Sequence, residues 1–571
     1  MRTRPVLLAV AVLLAAGVTV PATAAPAPAA IPDPAQLQEV DGSETRSYSV
    51  PTRHGALYLE VVHPTRGGEV LPAHGILTLS PYSVLGRNGD ASSYVPRGYA
   101  RMYADVVGTG NSGGCYDYGG TREKETAHDL VEWVVAQPWS RGRVGMTGGS
   151  YDGTTATAAA VTKPKGLATI VPEAAISRWY DYAYTGGMRY TYTNEMLGNQ
   201  GPGATTDEGF DTPLAFDFGF AMPPPTDVES ADWADRVAST VVPCDELEHT
   251  ERGYDLTPDY DEFWVERDYA RDAGRVDIPV MVVHNWGDWN VKQDTAFRLW
   301  NALRKGPTRK LYMGDRFSGH GTPGGEYREA KLAWLDRWVG GVRNGIERSL
   351  PEVTSQTSDT SGALDFLAGK APRVSSIRLD STSELGLAPA GKGSPGIAAG
   401  ATVPFAAVGS ESLAMGELSP GVHGDYAVLL SAPLTRDVRM FGSPQVRLSL
   451  GTDRTWTTLA PAVVDVDPSG SFPSVPVTRG WLDTRYAAGL TAPKAGDGKG
   501  IRTTMPAHPT DWTFRKGHRI ALLVQTGSSE WVLPKGYDGL PTPTYTLDLG
   551  PGTSLTLPLV APGDVRTLFA G

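Results

Sequence analysis

The stretch Arg143-Val-Gly-Met-Thr-Gly-Gly-Ser-Tyr-Asp-Gly-Thr-Thr-Ala-Thr-Ala-Ala-Ala160 decides the fold. Its first residues predict the end of a buried strand, its last residues predict a helix, and a glycine-rich turn around Ser150 joins them. Such a tight turn lifts a serine side chain out of the end of a sheet, and small neighbours remove the steric conflicts. The stretch therefore predicts a strand, a sharp turn and a helix, with Ser150 as a candidate nucleophile.

The turn departs from the common pattern G-x-S-x-G. Asp152 occupies the place of the last glycine, and Gly153 follows one residue later. A glycine-rich turn whose serine only hydrogen-bonds locally is therefore the alternative that this motif leaves open.

Strands and helices alternate on both sides of the turn. The apolar patterns predict strands at Ile76–Leu79, Tyr99–Val107, Ala168–Val171, Ile278–His284 and Lys310–Met313, and helices at Glu123–Gln137, Gln293–Arg304 and Glu326–Val339. This alternation predicts an α/β-hydrolase fold, a mainly parallel sheet with helices on both faces, built from residues 41–176 and 276–349. Residues 177–275 are rich in Trp, Tyr, Gly and Pro and predict a partly helical cap inserted in this domain.

Short strands with regular turn signals follow from residue 350. They include Val438–Phe441, Val446–Leu450, Ala462–Val466, Ile520–Val524 and Leu555–Val560, and they predict a β-sandwich over residues 350–571.

The amino terminus has the charge, apolar core and small-residue order of a secretory signal. We expect residues 1–25 to be removed near Ala24 and Ala25, with residues 26–40 as a disordered lead-in. No later stretch is apolar for long enough to cross a bilayer, so we expect an exported protein without a membrane partner. The net charge of −12 comes from interspersed signs without a basic block, which argues against nucleic-acid binding.

Cys115 and Cys244 are the two cysteines of the chain. In an oxidising exterior they are expected to pair, which would stabilise the fold by roughly 4–5 kcal/mol in the chain-entropy model; two separate buried thiols are the alternative. Two cysteines are too few for a cysteine-rich zinc site, and we treat Asp465, Asp467 and Asp483 as solvated loop residues, so we predict no metal.

A serine nucleophile needs a base and an acid that orients the base. In this fold the partners follow in the order Ser, Asp, His, and Asp288 and His320 each follow a later strand in that order. Alternatives stay open for both residues. Asp288 also suits a helix cap, Asp294 and Asp315 compete with it for the acid, and His284 competes with His320.

Two donors are needed for the oxyanion of a tetrahedral intermediate. The backbone N–H of Tyr151, which follows the nucleophile, is one candidate. The phenolic O–H of Tyr82, after the strand Ile76–Leu79, is the other, and a tyrosine packed in a proline turn is its alternative.

Several blocks together resemble the Xaa-Pro dipeptidyl-peptidases and the related cocaine-esterase-like acyl hydrolases. They are Ser80-Pro81-Tyr82, Gly108–Gly114, Met146–Gly153, Ala175–Tyr182 and Asp288–Lys292. The resemblance implies Ser150, Asp288 and His320 as the catalytic triad, Tyr82 as the oxyanion donor and no cofactor. It also implies a jelly-roll form for the carboxyl-terminal sandwich.

The Trp179–Tyr182 and Asp288–Lys292 blocks look more like the Xaa-Pro peptidases than the esterases. By that resemblance Trp179, Tyr182 and Val291 form a pocket for proline, and the substrates are peptides with proline at the second position. Glu195 is our candidate for holding the substrate's ammonium group, against the alternative of a solvated glutamate. The oligomeric state is not readable from the sequence.

Two rival functions stay open. One is an acyl esterase or amidase that uses the same triad on a non-peptide substrate. The other is a carbohydrate-binding protein in which exposed aromatic side chains of the β-rich half, such as Trp456, Trp481 and Trp531, make the contacts.

Overall fold

The computed structural model describes residues 30–82, 89–190, 244, 258–304, 306–316, 318–356, 374–376, 382–387, 396–398, 418–423, 426–452, 454–473, 476–527, 531–533, 544–549, 552–560 and 567–569. The predicted signal segment, most of the predicted cap and Glu195 lie outside these residues. The predicted domain boundaries stay predictions.

One large sheet organises the amino-terminal half. Its strands, with two short ones from the inserted segment, are β1 (Gly42–Thr52), β2 (Gly55–Arg66), β3 (Glu69–Val70), β4 (Ala73–Ser80), β5 (Ala100–Asp105), β6 (Ser140–Gly149), β7 (Leu167–Glu173), β8 (Tyr184–Thr185), β9 (Met188–Tyr190), β10 (Val280–Asn285), β11 (Arg309–Gly314), β12 (Val353–Gln356) and β13 (Val374–Ser376). The strand order is β1-β2-β5-β4-β6-β7-β10-β11-β12-β13, and β8 and β9 lie outside it. All neighbours from β5 to β12 pair in parallel, as predicted.

Helices cover both faces of this sheet. They are α1 (Ala91–Tyr94), α2 (Thr121–Val135), α3 (Tyr151–Thr162), α4 (Trp179–Ala183), α5 (Glu262–Glu266), α6 (Tyr269–Asp272), α7 (Asp294–Ala302), α8 (Tyr327–Trp338) and α9 (Ile346–Ser349). Alternate residues of a strand point to opposite faces, and β10 follows this rule: Val280 and Val282 pack in the core with α2, α3 and α7, whereas Met281 and Val283 pack with α8. No helix among the described residues is long and apolar enough to span a bilayer.

The carboxyl-terminal half is built from antiparallel strands. They are β14 (Thr382–Leu387), β15 (Gly396–Ala398), β16 (Gly421–Val422), β17 (Ala427–Leu430), β18 (Val438–Gly442), β19 (Gln445–Gly451), β20 (Thr458–Leu459), β21 (Ala462–Val466), β22 (Thr478–Arg479), β23 (Leu482–Asp483), β24 (Ile501–Pro506), β25 (Thr510–Phe514), β26 (Arg519–Val524), β27 (Val532–Leu533), β28 (Thr544–Leu547) and β29 (Ser554–Val560). The sheets β15-β28-β19-β29-β18-β25 and β16-β17-β26-β21-β22 contribute to one apolar core. The all-β prediction is confirmed; the jelly-roll topology stays a prediction.

The two halves meet beside the loop that follows β10. Strand β9 of the inserted segment pairs with β27, and the ring of Trp289 lies 6.0 Å from that of Trp481 and 5.6 Å from that of Trp531. Trp481 is 4% exposed and Trp531 is 7% exposed. The expectation that these two side chains are exposed is therefore wrong, because the other half of the molecule covers them. Trp456 lies under the guanidinium of Arg485.

Candidate active site

Ser150 lies at the tip of the predicted turn, between β6 and α3. Its φ of 61° and ψ of −124° are rare for a residue with a side chain, and such strain is typical of a nucleophile elbow. The glycines around it are required by close contacts. A Cβ atom on Gly148 would lie 2.3 Å from the Cβ of Asp152, and one on Gly153 would lie 2.8 Å from the carbonyl of Glu173.

Both predicted oxyanion donors converge on Ser150. Tyr82 Oη donates to Ser150 Oγ over 3.1 Å, and the nearby backbone N–H of Tyr151 acts to lower the pKa of the same hydroxyl. Burial and the nearby charge of Asp152 raise the pKa of Tyr82, so its hydroxyl stays protonated at neutral pH. A phenolic O–H and a backbone N–H thus meet at one point beside the serine.

Asp288 and His320 form a hydrogen-bonded pair. His320 Nδ1 lies 2.8 Å from Asp288 Oδ2, and because a carboxylate only accepts, Nδ1 carries the proton and Nε2 is left as the basic nitrogen. The side chain of Asp288 is 0% exposed and that of His320 is 20% exposed. Burial is the largest single influence and opposes the charged form of each group. The pKa of Asp288 is nevertheless lowered, by His320 and His284 together, and the pKa of His320 is raised by Asp288.

A second imidazole contacts the same acid. His284 Nε2 donates to the carbonyl of Val291 over 2.7 Å and lies 3.3 Å from Asp288 Oδ2. The other carboxylate oxygen, Oδ1, accepts the backbone N–H groups of Asn290 and Val291. Each oxygen of Asp288 therefore has two N–H neighbours, and its carboxylate is fixed on all sides. His284 lies beside the acid, where it supports Asp288.

The loop that carries His320 is held from β10. Asn285 Nδ2 donates to the carbonyls of Gly319 and Gly321, the residues on either side of the histidine, over 3.1 and 2.7 Å. Asp315 closes the start of the loop by accepting both the backbone N–H and the hydroxyl of Ser318, each over 2.8 Å. Asp315, a competitor for the acid, is thus occupied in shaping this loop.

The other competitor, Asp294, pairs with His508 of the carboxyl-terminal half. Asp465 accepts from Trp512 Nε1 and His518 Nδ1, and Asp483 pairs with Arg485. Both carboxylates are buried at strand positions, so the expectation that they are solvated loop residues is wrong, because these partners replace water. In the part of the chain that the structure describes, no three His, Cys, Asp or Glu side chains are grouped so that they could hold a metal ion.

The side chain of Tyr151 is anchored below the turn. Its Oη donates to Glu123 Oε1 over 2.7 Å and lies 3.1 Å from Tyr116 Oη. Glu123 Oε1 also accepts the N–H of Gly119 over 2.5 Å. Burial, with the charge of Asp117 second, raises the pKa of Glu123 to about 8.

The loop before α2 is tied to the inserted segment. A disulfide joins Cys115 to Cys244, with the Cα atoms 5.2 Å apart, as predicted. Cys115 immediately precedes Tyr116, so this link reaches the residues that support Tyr151.

The predicted pocket residues lie in one apolar cluster, in which the rings of Trp179 and Tyr182 are 5.9 Å apart, edge to face. Trp179 lies with its ring 5.0 Å from that of Tyr151 and donates through Nε1 to Tyr269. Tyr182 Oη donates to Asn290 Oδ1 over 3.3 Å, and the N–H of Val291 bonds to Asp288. Tyr182 and Val291 thus lie near the acid, and Trp179 packs beneath the serine turn in contact with Tyr182. All three side chains are buried.

Sequence reasoning missed the supporting groups: Ser80, Glu123, His284 as a neighbour of Asp288, and Asn285. The contacts of Glu123 with Tyr151 and of Asn285 with Gly321 join residues that lie 28 and 36 positions apart, and local periodicity does not record them. The sequence offered one clue to an unusual environment: Asp152 occupies the position at which the common G-x-S-x-G pattern has its last glycine.

Comparisons with known proteins identify matching family models and relatives. Residues 55–317 match the family model of the X-Pro dipeptidyl-peptidases (S15 family), and residues 418–552 match the model of the X-Pro dipeptidyl-peptidase C-terminal non-catalytic domain. A Bacillus cereus protein, one of the relatives named Xaa-Pro dipeptidyl-peptidase, is 29% identical over 84% of this chain and 77% of its own length.

Solved structures share the fold. An aminopeptidase from a marine sediment Thaumarchaeota archaeon has a TM-score of 0.66 at 17% identity, covering 91% of this chain and 96% of its own. A CocE/NonD family hydrolase from Staphylococcus aureus has a TM-score of 0.63 at 15% identity, covering 91% and 94%. The chain is a serine-type hydrolase whose two halves match the models of the catalytic and carboxyl-terminal domains of the X-Pro dipeptidyl-peptidases, and it shares its fold with a CocE/NonD family hydrolase.

Proposed function

We propose that the protein is a secreted serine peptidase that releases amino-terminal Xaa-Pro dipeptides through an acyl-enzyme on Ser150. The observation that carries the proposal is the meeting of Ser150 Oγ, Tyr82 Oη and the N–H of Tyr151 at one strained turn. The Asp288–His320 pair at the ends of later strands supplies the other half of the reaction.

In the first step Ser150 Oγ attacks the carbonyl carbon of the proline residue and gives its proton to His320 Nε2. Asp288 stabilises the imidazolium that forms, while Tyr82 and the N–H of Tyr151 bind the oxyanion. His320 then donates the proton to the leaving amine. In the second step His320 takes a proton from water, which attacks the ester carbonyl of the acyl-enzyme, and Ser150 Oγ recovers that proton as the dipeptide leaves. Among the described residues, Ser150 Oγ bonds to Tyr82 and not to an imidazole, so the contact of Ser150 with His320 is part of the proposal.

The preference for proline rests on the named relatives and on Tyr182 and Val291 beside Asp288. Glu195 stays our candidate for the substrate's ammonium group. A carboxylate is required because binding energy from the amino end must be realised in the transition state.

An acyl esterase or amidase is the second candidate, favoured by the similarity to the CocE/NonD family hydrolase. The same serine, acid and base serve both reactions, so the substrate distinguishes them. We expect turnover of a free-amine Xaa-Pro-anilide, a large loss when the amine is blocked, and little activity on a simple aryl ester. Faster turnover of the ester would favour the second candidate.

Ser150→Ala tests the nucleophile on the same anilide. Loss of a triad member lowers turnover by roughly 10⁴ or more, because the acyl-enzyme no longer forms. Ser140→Ala, at the opposite end of β6, is the matched control and should retain activity. A Ser150→Ala variant with normal turnover would overturn the proposal.

Secretion is supported by the disulfide, because such links persist in oxidising compartments. Amino-terminal sequencing of protein recovered outside the cell tests it, and the expected first residue is Ala25 or Pro26. A retained chain that still begins at Met1 would contradict secretion.

A further inference from the structure

Glu173 is the last residue of β7, which lies between β6, the strand before Ser150, and β10, the strand before Asp288. Its carbonyl accepts the backbone N–H of Ser150 over 2.8 Å and so holds the strained turn. The next residue, Ala174, donates its N–H to the carbonyl of Val283 on β10 over 2.9 Å. The end of β7 therefore contacts both neighbouring strands near the points where the predicted nucleophile and acid follow.

The side chain of Glu173 connects this backbone to α8. Glu173 Oε1 accepts Lys331 Nζ over 2.5 Å and Thr147 Oγ1 over 3.0 Å. Lys331 lies in the second turn of α8, the helix that follows the loop carrying His320. The side chain of Glu173 is 7% exposed and that of Lys331 is 16% exposed, so salt and water screen this ion pair little. One residue thus contacts the serine turn through its backbone and the helix after the histidine loop through its carboxylate.

A polar cavity of about 330 Å³ borders the ion pair and the predicted oxyanion site. Its wall includes Tyr82, Gly149 and both members of the pair. Ser80, also in the wall, accepts the backbone N–H of Tyr82 over 3.1 Å. Because open space takes the place of packed side chains here, the ion pair carries the connection between α8 and the serine turn at this level.

Other polar contacts hold the later turns of α8. Trp334 Nε1 donates to Thr169 Oγ1 on β7 over 2.8 Å, and Asp336 pairs with Arg97. Lys331 lies nearer than these residues to the start of the helix and to the histidine loop. A change at the ion pair should therefore move the start of α8, and with it the loop, while the later turns stay fixed.

We propose, resting on the function proposed above, that Glu173 and Lys331 are positioning residues: their ion pair sets the distance between the serine turn and the His320 loop. Proton transfer from Ser150 to His320 needs a contact of hydrogen-bond length. A displacement of about 1 Å costs roughly 10² in rate, even when its cause lies away from the reacting atoms. Because substrate binding does not use this distance, the ion pair acts on kcat and leaves KM unchanged.

Glu173→Asp is the sharpest test, because it keeps the charge and shortens the side chain by one methylene. We expect kcat to fall by about tenfold with KM unchanged, because the shorter carboxylate reaches Lys331 only if the helix moves. A role in charge balance alone predicts the kcat of the wild type, since both charges remain. A folded Glu173→Asp variant with wild-type kcat would overturn the proposal.

Lys331→Met removes the donor and should lower kcat by roughly tenfold or more with KM unchanged. Lys331→Arg keeps a cationic donor and should recover most of the lost kcat; equal losses in the two variants would contradict the proposal. Arg337→Met is the matched control, because it removes an ion pair with Glu347 on the same helix, and it should keep the kcat of the wild type. A loss in this control as large as in Lys331→Met would also overturn the proposal.

A small sulfonyl fluoride gives a readout that is independent of the proline preference. Ser150 Oγ forms a bond to sulfur, fluoride leaves, and the serine proton passes to His320, so the inactivation rate depends on the same distance. We expect this rate to fall in Glu173→Asp by the factor by which kcat falls. A reactive wild type with an equally reactive variant would overturn this proposal alone. A wild type that resists the reagent and turns over neither the prolyl anilide nor the aryl ester would overturn the function proposed above.

Thermal unfolding of each variant separates a loss of folding from a change of position, and kcat is calculated per folded molecule. Glu173→Asp retains both charges of the buried pair, so it carries the test if Lys331→Met does not fold.

Discussion

The two predicted oxyanion donors rest on supports of opposite character. Under Tyr151, Glu123 is enclosed by tyrosines and accepts from both Tyr151 and Gly119. Under Tyr82, Asp152 borders a polar cavity and keeps one oxygen without a hydrogen bond among the described residues. Burial raises the pKa of both acids, to about 8 for Glu123 and about 7 for Asp152.

The two supports therefore differ in the property that a substitution should change: protein stability on the Tyr151 side, and the pH dependence of catalysis on the Tyr82 side. The Tyr151 side is a filled network in which every described contact of the acid is structural, so changing Glu123 should affect stability. The Tyr82 side leaves an acid beside open space, so changing Asp152 should affect catalysis as a function of pH. The predictions below compare the two sides, from the largest expected effect to the smallest.

Tyr82→Phe should lower kcat by roughly 10²–10³ while KM changes little, because one of two oxyanion donors is lost. Steady-state kinetics on the prolyl anilide measures this effect. Tyr58→Phe, which removes a hydroxyl bonded to Ser47 on β1, is the control and should match the wild type. A Tyr82→Phe variant with unaltered kcat would mean that the N–H of Tyr151 suffices alone.

Glu123→Leu should destabilise the protein by about 1–3 kcal/mol, because Tyr151 Oη and the N–H of Gly119 lose a buried acceptor. Denaturant unfolding at pH 6 measures the free energy. A variant as stable as the wild type would show that the Tyr151 side is not the structural support that its contacts indicate.

Glu123→Gln should alter only the dependence of stability on pH. An acid whose pKa is raised on folding contributes its stability below its ordinary pKa of 4.5 and loses it as the pH rises toward the folded value, here about 8. The free energy of unfolding of the wild type should therefore fall more steeply between pH 5 and pH 8 than that of the variant. Equal slopes would contradict the raised pKa.

Local pattern predicted the framework of the site. Ser150 and Asp288 follow buried parallel strands, and because such strands end at one edge of the sheet, their order along the chain indicates a common site. The pairing of Cys115 with Cys244 was predictable because the chain has two cysteines and was expected to reach an oxidising compartment. The structure brings His320 to Asp288, which the order of the residues had suggested. The catalytic roles themselves stay predictions.

Long-range packing could not be predicted in the same way. A strand pattern gives two faces but does not say which face another half of the chain covers, and for that reason Trp481 and Trp531 were expected to be exposed. The environment of Asp152 depends on Arg101, Glu173 and Asp90, which come from different strands and loops. The sequence shows that an acid stands at position 152, but the groups that surround its carboxyl are known only from the folded structure.

Trp289 has a consequence for engineering. It follows Asp288 directly, yet its ring packs between Trp481 and Trp531 of the other half. A chimera that took its carboxyl-terminal half from a relative would thus disturb the residue next to the acid unless matching aromatic partners were transplanted with it. An exchange of the carboxyl-terminal half should therefore keep the aromatic side chains that contact Trp289.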